Sequence, residues 1–141
     1  MNLSKSRLLD VGNCDPDHGM VRRMLTQNFA VEIDRVMFVN EAIEMMRQNR
    51  YDLVLVNRLI FADNSEGIEL LHQSKADSGL SETPIMMISN YKEAQDRSIA
   101  SGGVPGFGKN SIFDSSTIQL LERYLLPIKQ ISGNSPIPRS E

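Results

Sequence analysis

The chain has 141 residues, of which 40% are hydrophobic and 23% charged, a composition that suits one globular domain with a core built without disulfides or metal. Its 15 basic and 18 acidic residues give a formal charge of −3, which argues against a nucleic-acid surface. Cys14 is the single cysteine, residues 1–6 are short and polar, and no segment approaches the ~20 apolar residues of a membrane span, so a soluble, cytoplasmic protein without membrane contact is expected.

Residues 1–6 read as a flexible N-terminus. RLLDVG (7–12) reads as a short strand that Asp10 interrupts. DPDHGMVRRMLTQNF (15–29) follows, with Met20, Val21, Met24 and Leu25 at helical spacing. Pro16 and Asp17 suit its first turn. AVEIDRV (30–36) alternates as a strand with one face better covered than the other. NEAIEMMRQNR (40–50) reads as a helix capped by Asn40. DLVLV (52–56) has the unbroken apolar character of a strand buried on both faces.

Beyond a polar loop, GIELLHQSK (67–75) is helical and PIMMIS (84–89) is a second buried strand. YKEAQDRSIAS (91–101) is helical, and GGVPGFG (102–108) leaves room for a short strand near Phe107. SSTIQLLERYLLPIK (115–129) is an amphipathic helix capped by Ser115 or Ser116, with Pro127 near its end. Residues 130–141 read as a disordered tail, which leaves 7–129 as the domain. Five strands alternating with five helices imply a parallel sheet with right-handed crossovers, a three-layer α/β sandwich.

In such a sheet the ligand site lies beyond the carboxyl ends of the strands. Those ends carry Asn13 and Cys14, Asn57, Ser89 and Asn90, and the loop with Lys109. Lys109 is expected to be the only fixed charge there, in contact with Asn57 or a backbone carbonyl if not simply solvated.

The order of elements resembles the receiver domain of two-component signalling. YDLVLVNRLIFADNSEGIELL (51–71) is similar to the family's third strand, loop and third helix, with Gly67 at the loop glycine. NCDPDHGMVRRML (13–25) resembles the end of the first strand and the first helix, and PIMMISNYKEAQDRSIASGG (84–103) the fourth strand and helix. Lys109 falls where the family has its invariant lysine. The resemblance covers 7–129 and implies a (βα)5 flavodoxin-like, CheY-like fold with strand order 2-1-3-4-5.

It also implies a chemistry that this chain lacks the groups to perform. In the family an aspartate accepts the phosphoryl group, two further acids help it hold Mg²⁺, and a hydroxyl and the lysine bind the phosphoryl oxygens. Here Asn57 takes the acceptor position and Asn13 and Cys14 take the acidic pair, while Ser89 and Lys109 remain. An amide cannot form an acyl phosphate, and a thiol is a soft ligand that suits Mg²⁺ badly. The expectation is a pseudo-receiver with no phosphorylation, no metal and no cofactor. The switch aromatic falls on Phe107 if GVPGF is matched to the family's GxxGY, or on Gly106 counting back from Lys109. Asn110 replaces the proline that normally follows the lysine.

By position, the family's docking surface on helix 4, strand 5 and helix 5 becomes Tyr91–Ser101, Gly106–Gly108 and Ser115–Leu126. Tyr91, Arg97, Arg123 and Tyr124 are its candidate anchors, for another signalling protein or for a second copy of the chain. Asp15 or Asp17 could replace a lost metal acid, but helix N-terminal roles suit both better. His18 and His72 read as surface residues and Cys14 as pocket filling. Asp10 has no account beyond a local hydrogen-bond partner or a fraying strand. Two other readings stay open at this level: a conventional, phospho-responsive receiver with an engineered Asn57, and a flavodoxin-like small-molecule binder or enzyme. Against the latter, NCDPDHG is acidic and lacks a glycine-rich phosphate cradle.

Overall fold

The computed structural model of the chain describes residues 5–128. The expected tail at 130–141 lies outside them, as do the first four residues. Five parallel strands form one sheet in the order β2-β1-β3-β4-β5. They are β1 (Ser6–Val11), β2 (Val31–Val36), β3 (Leu53–Asn57), β4 (Ile85–Ile88) and β5 (Val104–Phe107). The helices are α1 (Asp15–Asn28), α2 (Val39–Gln48), α3 (Ile68–Lys75), α4 (Lys92–Ala100) and α5 (Ser115–Leu121). This is the expected (βα)5 flavodoxin-like arrangement.

Side chains alternate across the strands and so fill two separate cores. Leu9, Val11, Val54, Val56, Ile85 and Met87 pack with α2 and α3 on one face. Leu8, Leu53, Leu55, Met86, Ile88 and Phe107 pack with α1 and α5 on the other. Every residue of β3 and β4 is buried, as their apolar runs require. β2 is an edge strand, and all of it except Glu32 is half-buried.

The ends of elements depart from the sequence reading. β1 begins at Ser6, whose hydroxyl accepts the Leu126 N–H at 2.9 Å. α2 starts at Val39 after Phe38 rather than at an Asn40 cap, because the Glu41 carboxylate accepts the N–H groups of Met37 (3.0 Å) and Phe38 (3.2 Å). α5 is capped by Asp114, not Ser115 or Ser116, and stops at Leu121 instead of running to 129. Beyond it the chain serves the sheet: Leu126 accepts the Ala30 N–H, and Pro127 bridges antiparallel to Phe29.

β4 and β5 are joined through an irregularity that bears on the site. Met86 pairs with Val104 but Ile88 pairs with Phe107, so β5 carries one extra residue in a bulge. Pro105 is tolerated at this edge because a bulge needs one donor fewer. The Gln95 side chain of α4 closes the gap. Its Nε2 donates to the Met87 carbonyl at 2.9 Å, and its Oε1 accepts the Gly106 N–H at 3.0 Å. Gly106 has no room for a side chain, since a Cβ there would run into the Met87 carbonyl. Replacing Gln95 by Leu leaves two backbone groups unpaired and is expected to cost about 1–3 kcal/mol in urea denaturation. Asp96→Asn, which breaks only the exposed Lys92 pair, should cost under about 0.5 kcal/mol.

Candidate functional site

The parallel sheet delivers every strand end to one edge, and a cavity of about 280 Å³ opens there. Cys14 and Asp17 line it from the start of α1, Asn57 from the end of β3, and Ser89 and Lys109 from the loops after β4 and β5. Five of the groups expected to meet therefore do so: Cys14, Asn57, Ser89, Asn90 and Lys109. Asn13 is the exception. It is fully buried, and its amide turns inward to donate to Asp10 at 2.7 Å.

Asn57 is 9% exposed and uses its amide as a donor, with Nδ2 2.7 Å from the carbonyl of Leu59. That bond holds the first turn of the β3–α3 loop, residues 58–66. The loop is tied down elsewhere too. Ile60 is buried against Gly12, whose φ of +84° requires a glycine, and the Phe61 N–H donates to the Gly12 carbonyl at 2.9 Å. Gly67 donates to the Arg58 carbonyl, and a Cβ on Gly67 would collide with the Asn57 carbonyl. The apolar Leu59 and Phe61 are thereby held out towards solvent.

Lys109 is not the only fixed charge. It begins one turn of 3-10 helix (Lys109–Ser111), and its ammonium lies 2.6 Å from the Asp17 carboxylate. Both side chains are largely covered. The hydrogen bond from Lys109 holds the Asp17 carboxyl below the usual carboxylate range. Burial opposes this, and the Cys14 thiol adds a second donor. Asp17, which sequence reasoning assigned to the helix start, is thus a site residue paired with Lys109. Its signal was spacing, since it falls one helical turn after Cys14 and shares its side of α1. Asp15 points away, largely exposed, to Arg35 at 2.8 Å.

Ser89 is buried, and its hydroxyl accepts the Tyr91 N–H at 3.1 Å. Asn90 Oδ1 accepts the N–H of Asn110 at 3.0 Å. A proline at 110 could not make that bond. Phe107 packs in the α1–α5 core, and it is Gly106 that faces α4 through Gln95.

Asp10 and His18 also differ from expectation. Asp10 shares the α1-facing side of β1 with Leu8 and is 0% exposed. His18 is no surface residue, because its Nδ1 lies 2.6 Å from Asp10 Oδ2. An unpartnered carboxylate in that core would cost several kcal/mol, and Asn13 and His18 remove that cost. Among the described residues no group of three or more His, Cys, Asp or Glu side chains is gathered as a metal ion would need.

The four candidate anchors do not form one patch. Tyr91 is 60% exposed and stands at the cavity rim. Arg97, on α4, pairs with Glu66 at 3.4 Å. Arg123 and Tyr124 lie past the end of α5, at the opposite edge of the sheet beside Ser6 and Arg7.

The arrangement has close structural counterparts. NtrX from Brucella abortus superposes with a TM-score of 0.72 at 22% identity, over 86% of this chain and 27% of its own length. A putative response regulator from Chloroflexus aurantiacus gives 0.71 at 20% identity, over 92% of this chain and 99% of its own. The chemotaxis response regulator CheY4 of Vibrio cholerae gives 0.68 at 19%, over 86% and 99%. The fold is that of response-regulator receiver domains. This chain spans about a quarter of NtrX but nearly all of the other two. No family model and no curated protein matches the sequence. Among the described residues no helix is long and apolar enough to cross a membrane.

Because the folded Asp17 carboxyl titrates below the ordinary 3.8, its contribution to stability is complete above that value and is lost as pH falls towards its own, lower pKa. Asp17→Asn should therefore be less stable than the parent at neutral pH. The gap should close below about pH 4, as read by urea denaturation across pH.

Proposed function

We propose that this chain is a pseudo-receiver: a non-enzymatic, cytoplasmic module of two-component signalling that acts by contact with other proteins and accepts no phosphoryl group. The observation that carries the proposal is the hydrogen bond from Asn57 Nδ2 to the Leu59 carbonyl. The residue at the acceptor position is a neutral amide, and its nitrogen is already engaged in holding the loop. A carboxylate in its place would meet the same carbonyl oxygen with no proton to offer.

The surroundings support the same reading. Phosphoryl transfer in this fold family needs a divalent cation to neutralise charge. A hard cation prefers oxygen ligands, most of them anionic. The side-chain donors that line the cavity with Asn57 are the soft Cys14 thiol, the Ser89 hydroxyl, the neutral Asn64 and Asn90 amides and an Asp17 carboxylate already paired with Lys109. Asn13 is turned away towards Asp10. These residues do not fit Mg²⁺. Lys109, whose family role is to meet phosphoryl oxygens, is neutralised in place.

The test is intact-mass measurement after incubation with acetyl phosphate and Mg²⁺. The parent is expected to gain no phosphoryl group, and Asn57→Asp is expected to label poorly as well. That variant should also lose about 1–3 kcal/mol of stability with the Leu59 bond. Stoichiometric, Mg²⁺-dependent labelling of the parent would overturn the proposal, and ready labelling of Asn57→Asp would overturn the claim of a dismantled metal site.

A further inference from the structure

Two nearly buried side chains of the Asn57 cavity keep hydrogen-bonding capacity that no protein group uses. Asn57 is 9% exposed, and its Nδ2 is spent on the Leu59 carbonyl. Its Oδ1 accepts from no group among the described residues. Those residues hold four sealed side-chain polar atoms without a partner, namely Arg7 Nε, Asn13 Oδ1, Arg35 Nε and Ser98 Oγ. Asn57 Oδ1 is not one of them, so it opens on the cavity that Asn57 lines. Ser89 is 6% exposed and lines the same cavity. Its oxygen accepts the Tyr91 N–H, while its own O–H proton meets no acceptor among the described residues. Buried polar groups with unused capacity recruit polar partners.

The rest of the lining decides which partner. Donors are in excess. Lys109 spends one of its ammonium donors on Asp17, and Asn90, whose Oδ1 takes the Asn110 N–H, keeps its Nδ2. With the Ser89 hydroxyl they call for a group that only accepts, which a carboxylate does with both oxygens. Asn57 Oδ1 calls for a donor, which a hydroxyl supplies. Charge agrees, because the lining carries one carboxylate, Asp17, and two cations, Arg58 and Lys109, so a monoanion balances it. A phosphate dianion is served less well, since the Lys109 ammonium is already held 2.6 Å from Asp17. The remaining wall is apolar or aromatic, from Leu59, Phe61, Ile88 and Tyr91. A volume of about 280 Å³, just under the range of drug-sized ligand pockets, suits a single ring.

We infer that this cavity binds a small aromatic hydroxy acid. The carboxylate sits on the Ser89 hydroxyl and Lys109, the ligand hydroxyl donates to Asn57 Oδ1, and the ring lies against Leu59 and Tyr91. Asn57 also holds the turn at Leu59, and Ser89 also holds Tyr91, so occupancy bears directly on the surface that these loops present. The inference goes beyond the signalling reading and stands on the cavity alone.

The test is an NMR titration of the intact, nitrogen-labelled protein with meta-hydroxybenzoate as the probe, beside benzoate, meta-hydroxybenzamide and inorganic phosphate. Meta-hydroxybenzoate is expected to give saturable shifts in the Asn57 side-chain amide and in the Ser89, Asn90 and Tyr91 backbone signals. Benzoate, which lacks the hydroxyl, should bind about fivefold more weakly, and meta-hydroxybenzamide, which lacks the charge, about tenfold more weakly. Ser89→Ala should weaken meta-hydroxybenzoate about tenfold, with Arg123→Gln unchanged. A circular-dichroism melt checks that Ser89→Ala folds, and the ligand series on the parent protein needs no variant. No saturable shift, shifts confined to other parts of the chain, or equal binding of benzoate and meta-hydroxybenzoate would each overturn the site. Phosphate binding as tightly as meta-hydroxybenzoate would overturn the ligand class. None of these results touches the signalling reading, which falls to phosphoryl labelling of the parent.

Discussion

A parallel sheet brings the carboxyl end of every strand to one edge, and in this protein that edge holds the side chains that the fold could put to use. The constraint is geometric. Each crossover helix must return the chain to the opposite edge before the next strand begins, so Cys14, Asn57, Ser89 and Lys109, far apart in sequence, end up around one cavity. The burial of β3 and β4 on both faces fixes the position of those ends. Asn57 sits at the close of the most protected strand, where any change of side chain is felt by the loop that follows it.

Within that frame the polar groups around the site have partners chosen by chemistry. Asp10 would be prohibitive alone in the α1-facing core, and His18 and Asn13 come to it. Lys109 would be a stranded cation in a half-closed cavity, and Asp17 meets it. Asn57 offers a donor, and the Leu59 carbonyl takes it. The β4–β5 bulge would leave a backbone gap, and Gln95 fills it. These pairings tie the cavity walls to one another. They also leave Arg58 as the guanidinium at the rim that answers an aromatic ring rather than a carboxylate.

Much of the fold was legible in the sequence, because burial imposes a period. The unbroken apolar runs 52–56 and 84–89 had to be interior strands, and the helical spacing of Val21, Met24 and Leu25 had to face a sheet. Element ends were less legible. Glu41 outcompetes Asn40 for the start of α2, and the chain after Leu121 leaves the helix to bond with Ser6 and Ala30, contacts 120 and 96 residues apart that no local pattern announces.

The sequence by itself determined the fold class, the edge at which the site lies and the identities of the groups there, since strand and helix periods and the alternation of elements are local properties. It also determined that no carboxylate stands at position 57. Tertiary structure alone decided how those groups are used. It turned Asn13 away from the cavity, paired Lys109 with Asp17, engaged Asn57 with Leu59 and set Arg58 on Tyr91. Hydrogen bonds and ion pairs act only over a few ångströms, and which groups come within that reach is settled by packing between distant elements.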